Sequence, residues 1–163
     1  MNAVPAFVAL GASLPPREET LASAHAHLAA LPYVREVMCS SVYETEPVGP
    51  AENVFLNQVV RLDVAIEDPD RLLRDLLAIE AVHGRTRLIH WGDRTLDLDL
   101  LSFGDLVSDD PACVLPHPRL HERDFVLVPL CELDPGWVHP RLHLTAAGLL
   151  ESLVTARTIL RRL

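Results

Sequence analysis

The sequence contains no lysine, and all 14 of its basic residues are arginine. That absence excludes a Walker-type phosphate loop, whose Lys reaches the terminal phosphates, and it excludes Schiff-base chemistry on Lys. Cysteine is also scarce. The three present, Cys39, Cys113 and Cys131, form an odd set without a Cys-x-x-Cys pair. Such usage predicts a reduced, cytoplasmic protein with no disulfide framework. No apolar run approaches the ~20 residues that a membrane span needs. The apolar stretch "AVPAFVAL" has no basic residue before it and is interrupted by Pro5, so it reads as a first strand rather than a signal peptide. Positive charge is in deficit, with a formal net charge of −9. General affinity for nucleic acid or an anionic membrane is therefore not expected. There is neither an internal repeat nor a separating linker, and the 163 residues are expected to form one domain over 1–163.

Against that acidic background the arginines are unevenly placed. Arg85, Arg87, Arg94, Arg119 and Arg123 fall within 39 residues that also hold the segment "RTLDLDLLSFG". Leu96, Leu98 and Leu100 alternate there with Asp97 and Asp99, the pattern of a half-buried strand. Residues two apart on a strand stand about 6.5–7 Å apart on one side, so the carboxylates are neighbours. At an effective dielectric of about 20 they repel by roughly 2 kcal/mol. A solvated outer face would tolerate them. A divalent metal would use them, because hard carboxylate oxygens suit Mg²⁺, which fills its remaining positions with phosphate oxygens. Arg94, three residues before Asp97, adds a guanidinium that matches phosphate geometry. Carboxylates for metal beside cationic clamps for phosphates are the kit of phosphoryl transfer.

The chain order reads β-α-β-β-α-β. A strand over residues 3–10 leaves by a turn at Gly11-Ala12-Ser13. A helix opened by Pro15, Pro16, Glu18 and Glu19 carries the stripe Leu21, Ala24, Leu28, Leu31. A β-rich stretch at 35–45 and a strand from about Leu56 pair antiparallel across the loop "EPVGPAEN". Asp68-Pro69 starts a second helix, which ends at Gly84. Residues 85–94 read as a mobile loop before the Asp strand. A helix near 125–133, a short strand at Trp137-Val138 and a helix near 146–153 close the chain. The expected fold is α+β: a ferredoxin-like βαββαβ plait with a C-terminal extension, its antiparallel sheet covered by helices in three α/β/α layers. That plait hosts many functions, so the fold alone decides none.

Other candidates have bland and sharp readings. Cys113, His117 and His121 are spaced by four, which invites zinc with Glu122 or Asp124 as a fourth ligand, yet Pro116 and Pro118 prevent a helix that would align them. His117 serves equally as a phosphate hydrogen-bond donor or a packed loop residue. Phe55 and Phe125 fit the core, or a pair of rings sandwiching a flat heterocycle with Asn57 at its edge. Trp91 fits half-exposed packing or a lid.

Several segments together resemble one family. "RTLDLDLLSFG" followed by "LPHPRLHERDFVLVPLCELDP", with "SSVYETEPVG", "FLNQVV" and "IEAVHGRTR" in order and spacing, looks like 6-hydroxymethyl-7,8-dihydropterin pyrophosphokinase of folate biosynthesis. The likeness runs from Val8 to about Val138. It implies transfer of diphosphate from ATP to the pterin hydroxymethyl group, release of AMP, and two Mg²⁺ ions. By that resemblance Asp97 and Asp99 hold both metals, and Arg85, Arg94, His117 and Arg123 bind phosphates. Glu80 lies at the nucleotide site. Thr45, Val48 and Asn57 line the pterin pocket, Phe55 and Phe125 stack on the ring, and Arg87 and Trp91 belong to a loop closing over ATP and pterin. The expected partners are these two substrates, with no obligate protein partner and a monomeric state. The chain departs from the family pattern at Gly11-Ala12-Ser13, usually Gly-Ser-Asn, at Phe55, often Tyr, and at Asp93, usually Pro. Three other classes compete with this reading. A binding module would show no Mg²⁺-dependent nucleotide binding, a zinc-stabilised domain would lose its fold on chelation, and an Asp-x-Asp phosphatase would release inorganic phosphate rather than AMP.

Overall fold

The computed structural model describes residues 2–47, 51–84, 95–154 and 157–163. Val48, Arg85, Arg87, Trp91, Asp93 and Arg94, singled out in the sequence, lie outside the described residues, as does the expected loop at 85–94. The elements run β1 (Val4–Ala12), α1 (Arg17–Ala29), β2 (Val34–Cys39), β3 (Tyr43–Thr45), β4 (Phe55–Val64), α2 (Pro69–Val82), β5 (Asp97–Phe103), α3 (Asp124–Leu133), α4 (Ala146–Glu151) and β6 (Ile159–Arg162). A single 3₁₀ turn at Leu120–Glu122 precedes α3.

The strands form one antiparallel sheet in the order β5-β1-β4-β3-β6, with β2 also paired to β4. This is the expected plait, its second strand divided into β2 and β3. Alternation sorts the side chains into two layers. Ala6, Val8 and Leu10 of β1, Val60 and Leu62 of β4, and Leu98 and Leu100 of β5 meet Leu21, Ala24 and Leu28 of α1 and Leu72, Leu76 and Ile79 of α2. Phe7, Val59 and Leu101 face the other way, toward Val126, Leu127 and Leu130 of α3 and Ala146 and Leu149 of α4. The expected three layers are present.

Local chemistry accounts for most boundaries. The Asp68 side chain accepts the Asp70 N–H at 3.0 Å, and Pro69 occupies the first helical position. Gly84, at φ +72°, ends the run in the left-handed region that a glycine adopts without steric cost. In β5, Phe7 opposes Ser102 while Val8 opposes Leu100, so Leu101 is the extra residue of a bulge. The bulge reverses the alternation, and Leu101 packs under α3 while Leu100 and Phe103 share the other layer.

Two expectations are corrected and one strand is added. Gly11 and Ala12 are not a turn: β1 runs through them, and Gly11 pairs with both Asn57 and Asp97. Trp137-Val138 is no strand, only a single bridge from Val138 to Thr145. The four-residue β6 was not expected at all, because its sequence is too short to show a period.

Candidate active site

The register draws a line of residues across one end of the sheet. Tyr43 pairs with Asn57, Asn57 with Gly11, and Gly11 with Asp97. Paired residues point to the same face, so Asn57 and Asp97 stand on one side with only Gly11 between them. Adjacent strands are about 4.8 Å apart, which puts their backbones about 10 Å from each other. A Cβ on Gly11 would lie 3.0 Å from Asn57 Oδ1 and 4.0 Å from Asp97 Cβ. The missing side chain therefore opens a floor between the amide and the carboxylate. One step along each strand pair, Thr45 pairs with Phe55, and Asp99 with Ala9. Asn57 Nδ2 donates to the buried Thr45 Oγ1 at 2.6 Å, fixing the plane of the amide. Thr45, Phe55 and Asn57 thus share the face of Asp97 and Asp99, both half-buried.

The opposite wall comes from the segment entering α3. His117 is anchored by its backbone N–H to the Leu101 carbonyl at 2.8 Å. Its ring Nδ1 accepts the Arg119 N–H at 3.1 Å. An amide N–H only donates, so Nδ1 carries no proton and the neutral ring keeps its proton on Nε2. Burial, with Arg123 adding to it, pushes the His117 pKa down to about 4, against the opposing pull of Asp97. At neutral pH His117 is therefore an uncharged donor. Burial also draws the Arg123 guanidinium below its usual range, while Asp99 and Asp97 act against that shift. Arg123 Cζ lies 5.6 Å from the centre of the Phe125 ring, a cation–π contact that holds two candidate ligand residues together.

Glu80 approaches from the opposite layer. It is 3% exposed, on α2, and its Oε2 accepts the Leu98 N–H at 2.8 Å. Because β5 is an edge strand, its outward N–H groups need a partner off the sheet. The bond falls between Asp97 and Asp99, so Glu80 fixes the strand that carries them.

Sequence reasoning did not find the role of Gly11, visible only as a strand residue, nor the partners of two carboxylates of α3. Glu132 accepts from Ser41 N at 2.7 Å, Ser41 Oγ at 3.0 Å and Tyr43 Oη at 2.7 Å. Asp124 accepts from Thr158 and Ile159. The sequence offers Asp124 as a candidate fourth zinc ligand and as an acidic residue in a helix's first turn, which reads as ordinary dipole compensation, and neither points to Thr158.

Among the described residues no three His, Cys, Asp or Glu side chains gather into a metal-holding group. Cys113 sits in the α1–α2 core layer, where Asp70 and Asp68 act on its thiol, whereas His117 responds to Asp97 and Arg123. The Asp pair alone fits a hard divalent ion that draws its other oxygens from phosphate and water.

Paired carboxylates beside an arginine and a neutral histidine on a ferredoxin-like sheet fit the class of phosphorus-transferring enzymes. Among solved structures the chain is similar to an HPPK-DHPS chain crystallised with substrates, at TM-score 0.74 and 13% identity over 93% of this chain. It is also similar to wild-type HPPK-DHPS of Plasmodium falciparum, at TM-score 0.69 and 15% identity over 93% of this chain. It spans 43% and 45% of those longer chains, and at these identities they speak for the fold. Residues 7–135 match the sequence model of the 7,8-dihydro-6-hydroxymethylpterin-pyrophosphokinase family. A 2-amino-4-hydroxy-6-hydroxymethyldihydropteridine pyrophosphokinase of Synechocystis is 42% identical over 146 residues, covering 90% of this chain and 74% of the relative. One from Pseudomonas aeruginosa is 42% identical over 130 residues, covering 79% and 80%. The chain belongs to the 7,8-dihydro-6-hydroxymethylpterin-pyrophosphokinase family. It is a diphosphotransferase of folate biosynthesis.

Proposed function

We propose that this enzyme moves the diphosphate of ATP onto the hydroxymethyl oxygen of 6-hydroxymethyl-7,8-dihydropterin, with two Mg²⁺ ions held by Asp97 and Asp99. The observation that supports this most is the cross-strand line Asn57–Gly11–Asp97. It puts an amide suited to a heterocycle edge and a carboxylate suited to metal on one face, separated by a residue with no side chain. Thr45, Asn57 and Val48 line the pterin pocket, with Phe55 and Phe125 against the ring faces. Arg123 and His117 clamp phosphate oxygens, as do Arg85 and Arg94, Arg87 and Trp91 complete the nucleotide site, and Glu80 serves that site through the strand it braces.

In this reading the pterin hydroxyl oxygen bonds to the β-phosphorus and gives its proton to solvent water, the bond from that phosphorus to the α–β bridging oxygen breaks, and AMP leaves with that oxygen on its phosphate. Mg²⁺ on the two carboxylates would neutralise triphosphate oxygens and make the β-phosphorus more electrophilic. His117 holds its proton on Nε2 and donates a hydrogen bond, while Arg123 offsets charge on the transferring group. Most of the rate comes from positioning two substrates on a rigid sheet.

We also read residues 1–163 as one domain that acts as a monomer in the cytoplasm without an obligate partner. The three free cysteines fit a reducing compartment. Among the described residues no helix is long and apolar enough to cross a membrane. The test is AMP formation from ATP with Mg²⁺ and the pterin, each omitted in turn, with the pterin product analysed for added diphosphate. AMP and pterin diphosphate are expected only with all components, and inorganic phosphate as the product would overturn the reading.

A further inference from the structure

We propose that Asp124 is a positioning residue for the pterin pocket, acting through the C-terminal strand β6. Its side chain is 1% exposed, at the start of α3 between Arg123 and Phe125. Oδ2 accepts the N–H groups of Thr158 at 2.7 Å and Ile159 at 3.2 Å, and Oδ1 accepts the Thr158 hydroxyl at 2.5 Å. Three donors on one buried carboxylate bind the start of the last strand to the helix that carries the proposed stacking ring and directly follows the proposed phosphate clamp. The strand then reaches the pocket. The Thr158 carbonyl accepts the Glu46 N–H at 2.8 Å, Ile159 pairs with Thr45, and Thr45 Oγ1 receives the Asn57 amide. β3, only three residues long, is thus held by β4 on one side and β6 on the other. Strand β6 lies outside residues 7–135, the stretch matched by the family. Loosening β6 removes half of the lateral support of Thr45, and with it the constraint on the Asn57 amide plane.

The proposal rests on the assignment of Thr45 and Asn57 to the pterin. It is tested with Asp124→Ala, Asp124→Asn and Thr158→Val in the full chain, beside Asn57→Ala. Each variant is measured for pterin and Mg-ATP dissociation constants, for KM and kcat, and for melting temperature. Asp124→Asn can keep all three contacts, because its amide oxygen takes both backbone N–H groups and its NH₂ donates to the Thr158 hydroxyl. The expected result is a rise of about fivefold to tenfold in pterin Kd for Asp124→Ala and Thr158→Val. Mg-ATP affinity should stay within about twofold, and Asp124→Asn should recover most of the pterin affinity. Thr158→Val leaves both backbone bonds in place, so it answers the question even where Asp124→Ala fails to fold. Unchanged pterin affinity in folded Thr158→Val, or equal weakening of both ligands, overturns the positioning role. If Asn57→Ala weakens pterin binding while the latch variants do not, the latch alone is wrong. If Asn57→Ala leaves pterin binding intact, the pocket assignment falls and takes the latch with it.

Discussion

His117 shows how one side chain links stability to chemistry. Its folded pKa of about 4 lies below the ordinary value of 6.5 because burial and Arg123 disfavour the charged ring. Between those two values the unfolded chain binds a proton that the folded chain does not. Its contribution is therefore fully present above about pH 6.5 and lost as pH falls through about 4. The difference amounts to on the order of 3 kcal/mol. Urea unfolding of wild type and His117→Asn between pH 7.5 and 4.5 checks this, with the wild type expected to lose more stability across the window. Asn is the useful partner because its amide oxygen can replace Nδ1 as acceptor for the Arg119 N–H. Gly11→Ala is the second test at this scale. Its Cβ would meet Asn57 Oδ1 at 3.0 Å, closer than ordinary contact allows. Pterin affinity is expected to fall by about tenfold with the fold retained, as a small added volume in a packed site typically costs 1–3 kcal/mol. Equal pterin affinity in the two proteins would remove Gly11 from the site.

At the scale of elements, β5 draws on a partner outside the sheet. As an edge strand it leaves the Leu98 N–H pointing away from β1, and Glu80 is an acceptor that receives it. Glu80→Ala leaves that group buried without this acceptor, at a cost of about 1–3 kcal/mol. Lower denaturant stability together with lower turnover is the expected outcome. A variant with full stability and a raised ATP KM would instead make Glu80 a nucleotide ligand and no brace. The start of α2 was legible because Asp68 and Pro69 act within one turn. The role of Glu80 was not, since an acid among leucines on a helix reveals nothing about which strand lies beneath it. Gly11 was misread for a related reason: a glycine after an apolar run signals a turn unless its cross-strand neighbours are known.

For the whole molecule the Asp pair sets a balance between stability and activity. Two half-buried carboxylates about 7 Å apart repel by up to about 2 kcal/mol, which a bound cation would reverse. Asp97→Ala is expected to abolish AMP formation while the chain stays folded without Mg²⁺. Wild type with Mg-ATP at about 100 times Kd should gain roughly 2.7 kcal/mol, and chelation should remove that gain. The variant should show little of the shift in calorimetry or thermal unfolding. Unfolding of Asp97→Ala at ordinary temperature would assign the pair to structure instead.

By itself the sequence determined what short-range chemistry dictates. It set the alternation that sorts Leu98 from Asp97, the capped start of α2, the plait order, and the linear motifs that identify the family. Only the tertiary structure decided how those pieces meet. It ran β1 through Gly11 so that Asn57 and Asp97 share a floor, bulged β5 at Leu101, braced its edge with Glu80, and stapled β6 to α3 through Asp124. The physical reason is the range of the forces involved. Periodicity and capping act over a few residues, whereas register, edge satisfaction and buried carboxylate contacts join groups 18 and 34 positions apart.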